Sequence, residues 1–264
     1  MTTALQVIGL TILLLATQAA LRYAGRWLLW GVFVAVPLAL TPYWVSANTF
    51  DPFVWVKIYS IFICVGWGTL VRFTCVGERP WARRAIPVLV AVNILEATAV
   101  DLMAHGLAHG VNAVAGLMLV ATLPFGRDDV RVDTDGRCRD LRVPTSRGWV
   151  IGYVLWNWAF VLLNYPELAG HHAAVLAAGL IVGVVDPARW TQTRGATLGV
   201  NLMAMATCDA PMRAWLETSS WADPRLALVA ASGAAVVALG CGMRAVSSRC
   251  HGWLLELRPA AVPA

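Results

Sequence analysis

The hydrophobic residues of the chain fall into separate runs of about 14 to 20 residues, divided by short polar segments that are rich in arginine. Runs of this length without a polar face are typical of helices that cross a membrane. The pattern predicts an all-α, polytopic membrane helix bundle that forms a single transmembrane domain over residues 1–264. We expect about nine spans, at 4–21, 27–43, 54–72, 85–104, 110–125, 148–165, 170–186, 190–208 and 226–243. The run at 190–208 is the weakest, because Gln192 and Arg194 shorten its apolar part, so eight spans are the alternative.

The composition agrees with this interpretation and adds an orientation. The chain is 59% hydrophobic and 13% charged, against roughly 25% charged residues in an average soluble domain. Seventeen of its nineteen arginines lie in or beside the connections on one side of the predicted bundle, and only Arg213 and Arg225 lie on the other. The positive-inside rule then places the N-terminus outside and the C-terminus in the cytoplasm. We expect a multi-pass protein of a cell membrane, in particular a bacterial cytoplasmic membrane.

The formal net charge of +5 does not indicate a nucleic-acid-binding protein. The arginines are spread over several short connections rather than gathered in one basic patch. The longest connection, 126–147, contains six arginines and five aspartates and is predicted to be a solvated, charge-balanced cytoplasmic loop. The expected partners are therefore the lipid bilayer and a hydrophobic small molecule. The oligomeric state is left open.

Glu96 lies at the centre of the predicted span 85–104. A carboxylate at this depth costs several kcal/mol, so such residues face the bundle interior and mark functional sites. Counting about 1.5 Å per residue from the cytoplasmic end of each span places Asn93, Asn157 and Asn201 at roughly the same depth. The sequence predicts a neutral Glu96 carboxylic acid that is hydrogen-bonded by these amides and able to donate a proton.

Lys57 and Asp101 form a second predicted pair. They lie on consecutive antiparallel spans, each roughly 6 Å from the outer boundary. An ion pair between them would reduce the cost of burying both charges. His105, four residues after Asp101, shares its helix face and could join the pair. The alternative is that Lys57 extends to the membrane interface.

The span 148–165 carries aromatic and amide side chains near helical spacing, which suits the wall of a cavity for a flat or unsaturated hydrophobic molecule. The predicted substrate-binding residues on this and the other spans are Asn93, Tyr153, Trp156, Phe160, Asn164, Asn201 and Lys57. Packing between helices is the alternative role for these aromatic residues.

Four histidines near the predicted outer boundary leave a metal or haem site open as an alternative: His105, His109, His171 and His172. Gly106 lies between the first two and Gly110 follows them, which makes a continuous helix there doubtful. The chain has no phosphate-binding loop, zinc-protease motif or dinucleotide fingerprint. We therefore predict neither a metal nor a cofactor.

These features favour a membrane-embedded enzyme that applies acid–base chemistry to a lipid or isoprenoid-like substrate, such as a cyclase or isomerase. Its catalytic residues would be Glu96, Asp101 and Asn157. In size, aromatic helix face and buried acid the chain resembles the small integral-membrane terpene cyclases, an architectural likeness that assigns no residue. The alternatives are a small proton-coupled transporter or exporter and a non-catalytic membrane assembly subunit.

Overall fold

The computed structural model describes residues 2–125, 130–133 and 138–256. This part of the chain is almost entirely helical. Its α-helices are α1 (Thr3–Tyr23), α2 (Arg26–Ala47, with a π-helical turn at Gly31–Ala35), α3 (Pro52–Phe73), α4 (Pro80–Met103), α5 (Leu107–Ala121), α6 (Arg147–Asn164), α7 (Ala169–Val185), α8 (Trp190–Thr207), α9 (Asp209–Trp215) and α10 (Pro224–Glu256). Short 3-10 turns lie at Cys75–Glu78, Pro166–Leu168, Pro187–Arg189 and Ser219–Trp221.

Local sequence signals set several of the helix ends. Asp51 caps α3 by accepting a hydrogen bond from the Val54 amide at 3.0 Å, and the helix then begins at Pro52. Ser146 caps α6 in the same way through the Trp149 amide. Between α4 and α5 the chain turns at Gly106, whose φ of 129° is a conformation that favours glycine.

Six helices are long and apolar enough to cross a membrane. By length and composition they are the segments Thr3–Tyr23, Arg26–Ala47, Pro52–Phe73, Pro80–Met103, Pro166–Val185 and Pro224–Arg244, while α5 is apolar but shorter. The chain is thus a helical bundle whose composition allows a membrane location. The total of nine spans and the sides on which the two termini lie stay predictions.

The helices pack around a core rich in aromatic residues. The first part of α10 lies against α5 and α6, and the buried rings of Trp149, Tyr153, Trp156 and Trp190 fill the space between α6 and its neighbours. Close approach of α7 to this core requires Gly183, because a Cβ there would lie 2.7 Å from Trp190 Cδ1. The core therefore fixes α6, α7 and α8 relative to one another.

The connection between α5 and α6 differs from the predicted solvated loop. Two-residue strands β1 (Arg131–Val132) and β2 (Leu141–Arg142) pair antiparallel, and Leu141 and Val143 are buried against the ends of α3 and α4. The Leu141 amide donates to Gln192 Oε1 at 2.7 Å. Apolar residues between the charges thus dock the described part of the loop onto the bundle, whereas residues 126–129 and 134–137 of the predicted loop lie outside the described residues.

Candidate functional site

A pocket with apolar walls and several basic side chains lies between α3, α4, α6, α7 and α8. We call it the central pocket; the space inside it, including the part open to the surroundings, is about 620 Å³. Its apolar lining includes Phe53, Ala97, Phe160, Val161, Leu198 and Leu202. Its polar lining consists of Lys57, Asn93, Asn157, Tyr165, His172 and Arg194. Four of the predicted site residues, Lys57, Asn93, Asn157 and Phe160, therefore meet around one cavity.

Lys57 pairs with Glu96 rather than with Asp101. Its Nζ lies 3.0 Å from Glu96 Oε2 and donates to the Asn93 carbonyl oxygen at 3.0 Å. Ser60 Oγ donates to the same carboxylate oxygen at 3.2 Å. Both charged side chains are 17% exposed. The structure therefore contradicts the predicted Lys57–Asp101 pair, and Glu96 contacts Lys57 and Ser60 instead of the predicted amides.

Helix geometry explains the error. Glu96 and Asp101 are five residues apart, which turns the second side chain by about 140° around the helix axis, since each residue turns the helix by about 100°. Asn93, three residues before Glu96, shares its face and lies with it toward α3. The prediction put Lys57 level with Asp101, whereas its Nζ lies beside Glu96, and it did not consider which face of α4 each residue occupies.

Asp101 lies 1% exposed in a cluster of its own. Its carboxylate accepts from Asn112 Nδ2 at 2.7 Å and from Asn164 Nδ2 at 3.0 Å, and His109 Nδ1 lies 2.9 Å from Oδ1. His109, and not the predicted His105, is thus the histidine that reaches this carboxylate. We call these residues the Asp101 cluster; it joins α4, α5 and α6.

Asn157 contacts a residue that sequence reasoning placed elsewhere. Its Oδ1 accepts from Arg194 Nη2 at 3.1 Å. Arg194 was counted among the arginines of a polar connection, but it lies one turn inside α8 and is only 5% exposed. The residues around Arg194 include Gln192, Thr193 and Thr197, so no hydrophobic pattern indicated that its charge is buried. Asn201 lies further along α8 and lines a different cavity from Asn157.

The predicted aromatic face of α6 divides into two roles. Phe160 lines the central pocket and packs against Phe53 with ring centroids 5.6 Å apart. Tyr153 and Trp156 instead lie in the buried core, where Tyr153 contacts the Trp190 ring at 4.6 Å between centroids. Asn164 serves the Asp101 cluster. Of the predicted aromatic residues, Phe160 therefore lines the cavity, whereas Tyr153 and Trp156 pack in the core.

The four histidines do not come together. His105 is exposed in the turn after α4, His109 contacts Asp101, His171 Nε2 lies 3.0 Å from the Met212 carbonyl oxygen, and His172 lines the central pocket. Over the described residues, no group of three or more His, Cys, Asp or Glu side chains is placed to hold a metal ion. After Arg194, His172 is the second basic side chain of the pocket that sequence reasoning did not assign to a cavity.

A second cavity adjoins the central pocket at the end of the bundle where α3 begins. We call it the outer pocket; its empty space is about 1080 Å³. The two pockets share the lining residues Val54, Tyr165, Leu168, His172 and Leu202. In the outer pocket, Arg213 pairs with Asp209 at 2.7 Å and with Glu167 at 3.3 Å. The shared wall gives the central pocket a route toward this end of the bundle.

At the other end of the bundle, charges are held by the docked loop. Arg22 donates to both carboxylate oxygens of Asp140, with Nη2 2.6 Å from Oδ2, and Gln192 Nε2 donates to Oδ1 at 3.2 Å. Burial alone would raise the pKa of Asp140, but the Arg22 guanidinium and the Gln192 amide together hold that pKa below its usual range. This carboxylate is therefore ionised at neutral pH and acts as a structural contact.

Comparison with known proteins gives a family but no activity. Residues 1–250 match the model of a protein family of unknown function (DUF5692). No curated protein and no solved structure is significantly similar to the chain.

Proposed function

The chain belongs to the DUF5692 family, and from the central pocket we propose that it is a membrane-embedded enzyme. The proposed reaction is acid–base chemistry on a hydrophobic, lipid-like substrate, with an isomerase or cyclase as the nearest reaction class. The proposed setting is a bacterial cytoplasmic membrane, with nine spans, the N-terminus outside and the C-terminus inside.

The observation that carries the proposal is the position of the Lys57–Glu96 pair. The Lys57 ammonium forms part of the wall of an otherwise mostly apolar cavity, and Glu96 contacts it at 3.0 Å. Two groups that exchange protons at this distance can donate one proton to a bound molecule and take another back. An isomerisation needs no more than this, because the proton gained at one carbon balances the proton lost at another.

The walls of the pocket support a hydrophobic substrate. Phe53 lies with its ring centroid 5.4 Å from Lys57 Nζ, and Phe160 packs beside it. Aromatic faces attract positive charge, so these rings would stabilise cationic character that develops on a protonated, unsaturated chain. This is the same combination of acid and aromatic wall that underlies the likeness to membrane terpene cyclases.

One observation favours the alternative of a proton-coupled transporter. The central pocket and the outer pocket share five lining residues, so a bound molecule has a route toward one end of the bundle. Protonation of Glu96 would break its pairing with Lys57 and could couple movement of the substrate to a proton.

A Glu96→Gln variant separates the two functions. Purified protein in neutral detergent is incubated with a total extract of membrane lipids, and the extract is compared before and after by mass spectrometry. We expect wild-type protein to convert one lipid class and Glu96→Gln to lose at least 100-fold of this rate, because removal of a general acid–base group costs about 10²–10⁴-fold. Glu167→Gln, which removes a carboxylate of the outer pocket, is the matched control and should keep the rate.

A chemical change that survives Glu96→Gln would contradict the assigned role of the pair. If wild-type protein changes no lipid in detergent, yet sealed vesicles containing it accumulate a lipid in a Glu96-dependent manner, the enzyme proposal is overturned in favour of transport.

A further inference from the structure

Arg194 is a buried cation whose hydrogen-bonding capacity is largely unused. The residue is 5% exposed and donates through Nη2 to Asn157 Oδ1 at 3.1 Å. Its buried Nε and Nη1 atoms have no hydrogen-bond partner among residues 2–125, 130–133 and 138–256. Arg194 Cζ also lies 5.9 Å from the centroid of the Tyr153 ring.

The carboxylates near this level of the bundle are already engaged. Glu96 pairs with Lys57, and Asp101 is bound by His109, Asn112 and Asn164. Within the part of the chain that the structure describes, no carboxylate lies within 4.0 Å of the Arg194 guanidinium. Lys57 and Glu96 compensate each other's charge, so Arg194 leaves one net positive charge at the central pocket.

Such an arrangement is costly for a protein without a ligand. Arginine stays charged under all physiological conditions, and leaving a buried charge without a counter-ion costs several kcal/mol. The planar guanidinium presents its donors in a fork that matches the oxygens of a carboxylate or a phosphate. An anion in the pocket would use the unsatisfied donors and neutralise the charge at the same time.

The rest of the pocket indicates what is attached to the anion. Most of the remaining wall is apolar and includes Phe53, Phe160, Leu198 and Leu202. Lys57, Asn93 and His172 are the polar side chains that also line it, besides Asn157 and Tyr165. A hydrocarbon chain would displace water from these walls.

We propose that the central pocket binds an amphipathic anion whose carboxylate or phosphate head is held by Arg194 and whose hydrocarbon chain lies along Phe53, Phe160, Leu198 and Leu202. Asn157 positions the guanidinium, and Arg194 is the residue that contacts the head group. The inference rests on the proposed function for the site and adds the class of substrate: an acidic lipid rather than a neutral hydrocarbon.

The test measures binding and not turnover. The full-length protein in neutral maltoside detergent is titrated with dodecanoate, dodecyl phosphate, dodecanol and dodecyltrimethylammonium, each with the same chain, and thermal unfolding reports the bound fraction. We expect at least one of the two anions to stabilise the protein, with little effect of the alcohol or the cation. Stabilisation by dodecanoate alone assigns a carboxylate head, by dodecyl phosphate alone a phosphate head, and by both a site for either.

Arg194→Gln should weaken binding of the effective anion at least tenfold, whereas Arg194→Lys should weaken it less. Arg189→Gln is the matched control, because it removes an arginine just before α8 that pairs with Asp186 outside the pocket, and it should bind like wild type. Leu202→Trp, which keeps the charge but fills the shared wall of the two pockets, should also weaken binding. This second variant keeps the test decisive if Arg194→Gln does not fold.

Equal binding of dodecanol and of the anions, or unchanged anion binding by Arg194→Gln, would overturn the proposal. The result separates from that of the enzyme assay. Arg194-dependent anion binding without lipid conversion supports this inference and contradicts the proposed enzyme activity. Conversion of a lipid at the wild-type rate by Arg194→Gln supports the enzyme activity and contradicts this inference.

Discussion

Two buried charges of the bundle, Asp101 and Arg194, have opposite surroundings. Asp101 is 1% exposed and contacts three polar side chains from α5 and α6. Arg194 is 5% exposed, but it makes one hydrogen bond and two of its nitrogens have no partner in the described residues. Both are ionisable groups inside an apolar bundle, so burial alone does not distinguish them.

The difference distinguishes a structural joint, by which we mean a buried charge whose contacts hold helices together, from a group that binds a ligand. A buried charge that is bonded by several polar side chains stabilises the helices that supply them. A buried charge with free donors lowers stability until something binds to it, as is common at functional sites. The comparison therefore predicts that removing Asp101 harms folding and that removing Arg194 harms binding.

The largest effect is expected for Asp101→Ala. The change leaves the Asn112 and Asn164 amides and the His109 ring without their acceptor, and breaking a buried polar cluster of this kind costs about 3–5 kcal/mol. Unfolding in detergent, followed by circular dichroism, measures the loss. Asn164→Ala removes one donor and should cost only about 1 kcal/mol. A loss below that of Asn164→Ala would show that the Asp101 cluster is not a joint.

The Lys57–Glu96 pair lies between the two extremes. Lys57→Ala should destabilise the protein by about 2–3 kcal/mol, somewhat less than the about 3–5 kcal/mol expected for a fully buried pair, because both side chains are 17% exposed. The double change Lys57→Ala with Glu96→Ala should cost less than Lys57→Ala alone, since no charge is then left without its partner. The same comparison made with Asp101→Ala in place of Glu96→Ala should show additive losses, because the structure does not pair those residues. Additive losses for Lys57 and Glu96 would contradict the pair.

A third effect depends on pH and concerns the docked loop. The pKa of Asp140 is lowered in the folded protein, because Arg22 and Gln192 offset the effect of its burial. A lowered folded-state pKa contributes stability at pH values above the unfolded value of about 3.9, and the contribution is lost as the pH falls toward the folded-state pKa. Asp140→Asn should therefore be less stable than wild type by about 1–2 kcal/mol at pH 7, and the difference should shrink between pH 5 and pH 3. A difference that does not change with pH would exclude this charge contact as its source.

The sequence was informative about which residues are unusual and less so about which of them meet. An apolar run that contains Glu96, Lys57 or Asp101 identifies each as a residue that needs a partner. Distance along a span follows from counting residues, but the face of a helix and the rotation of its neighbour depend on packing among all helices. For this reason the sequence-based prediction paired Lys57 with Asp101, whereas in the structure Lys57 pairs with Glu96.

Arg194 shows a different limit. Its neighbour Gln192 contacts the docked loop through Leu141 and Asp140, so the segment at 190–194 does begin at the polar end of the bundle. The arginine side chain is long enough to extend from there into the core, where Asn157 receives it. A predicted span boundary gives the position of the Cα atom of an arginine. It does not give the position of the charge, which lies several bonds away at the end of the side chain.

The smallest effect on stability is expected for Arg194→Met, and it is the sharpest test of the comparison. Methionine has a similar length and no charge, so it fills the same space and removes the cost of two unpartnered donors. Replacement of a poorly compensated buried charge by an apolar side chain is often neutral or stabilising, so the ligand-free variant should be within about 1 kcal/mol of wild type or more stable. Thermal unfolding in maltoside, with and without the anion that binds wild type, measures both effects. We expect the ligand-free variant to keep its stability and the anion no longer to raise that stability. A loss comparable to that of Asp101→Ala would instead make Arg194 a structural joint, because a guanidinium that stabilises the bundle by itself has no need of a bound anion.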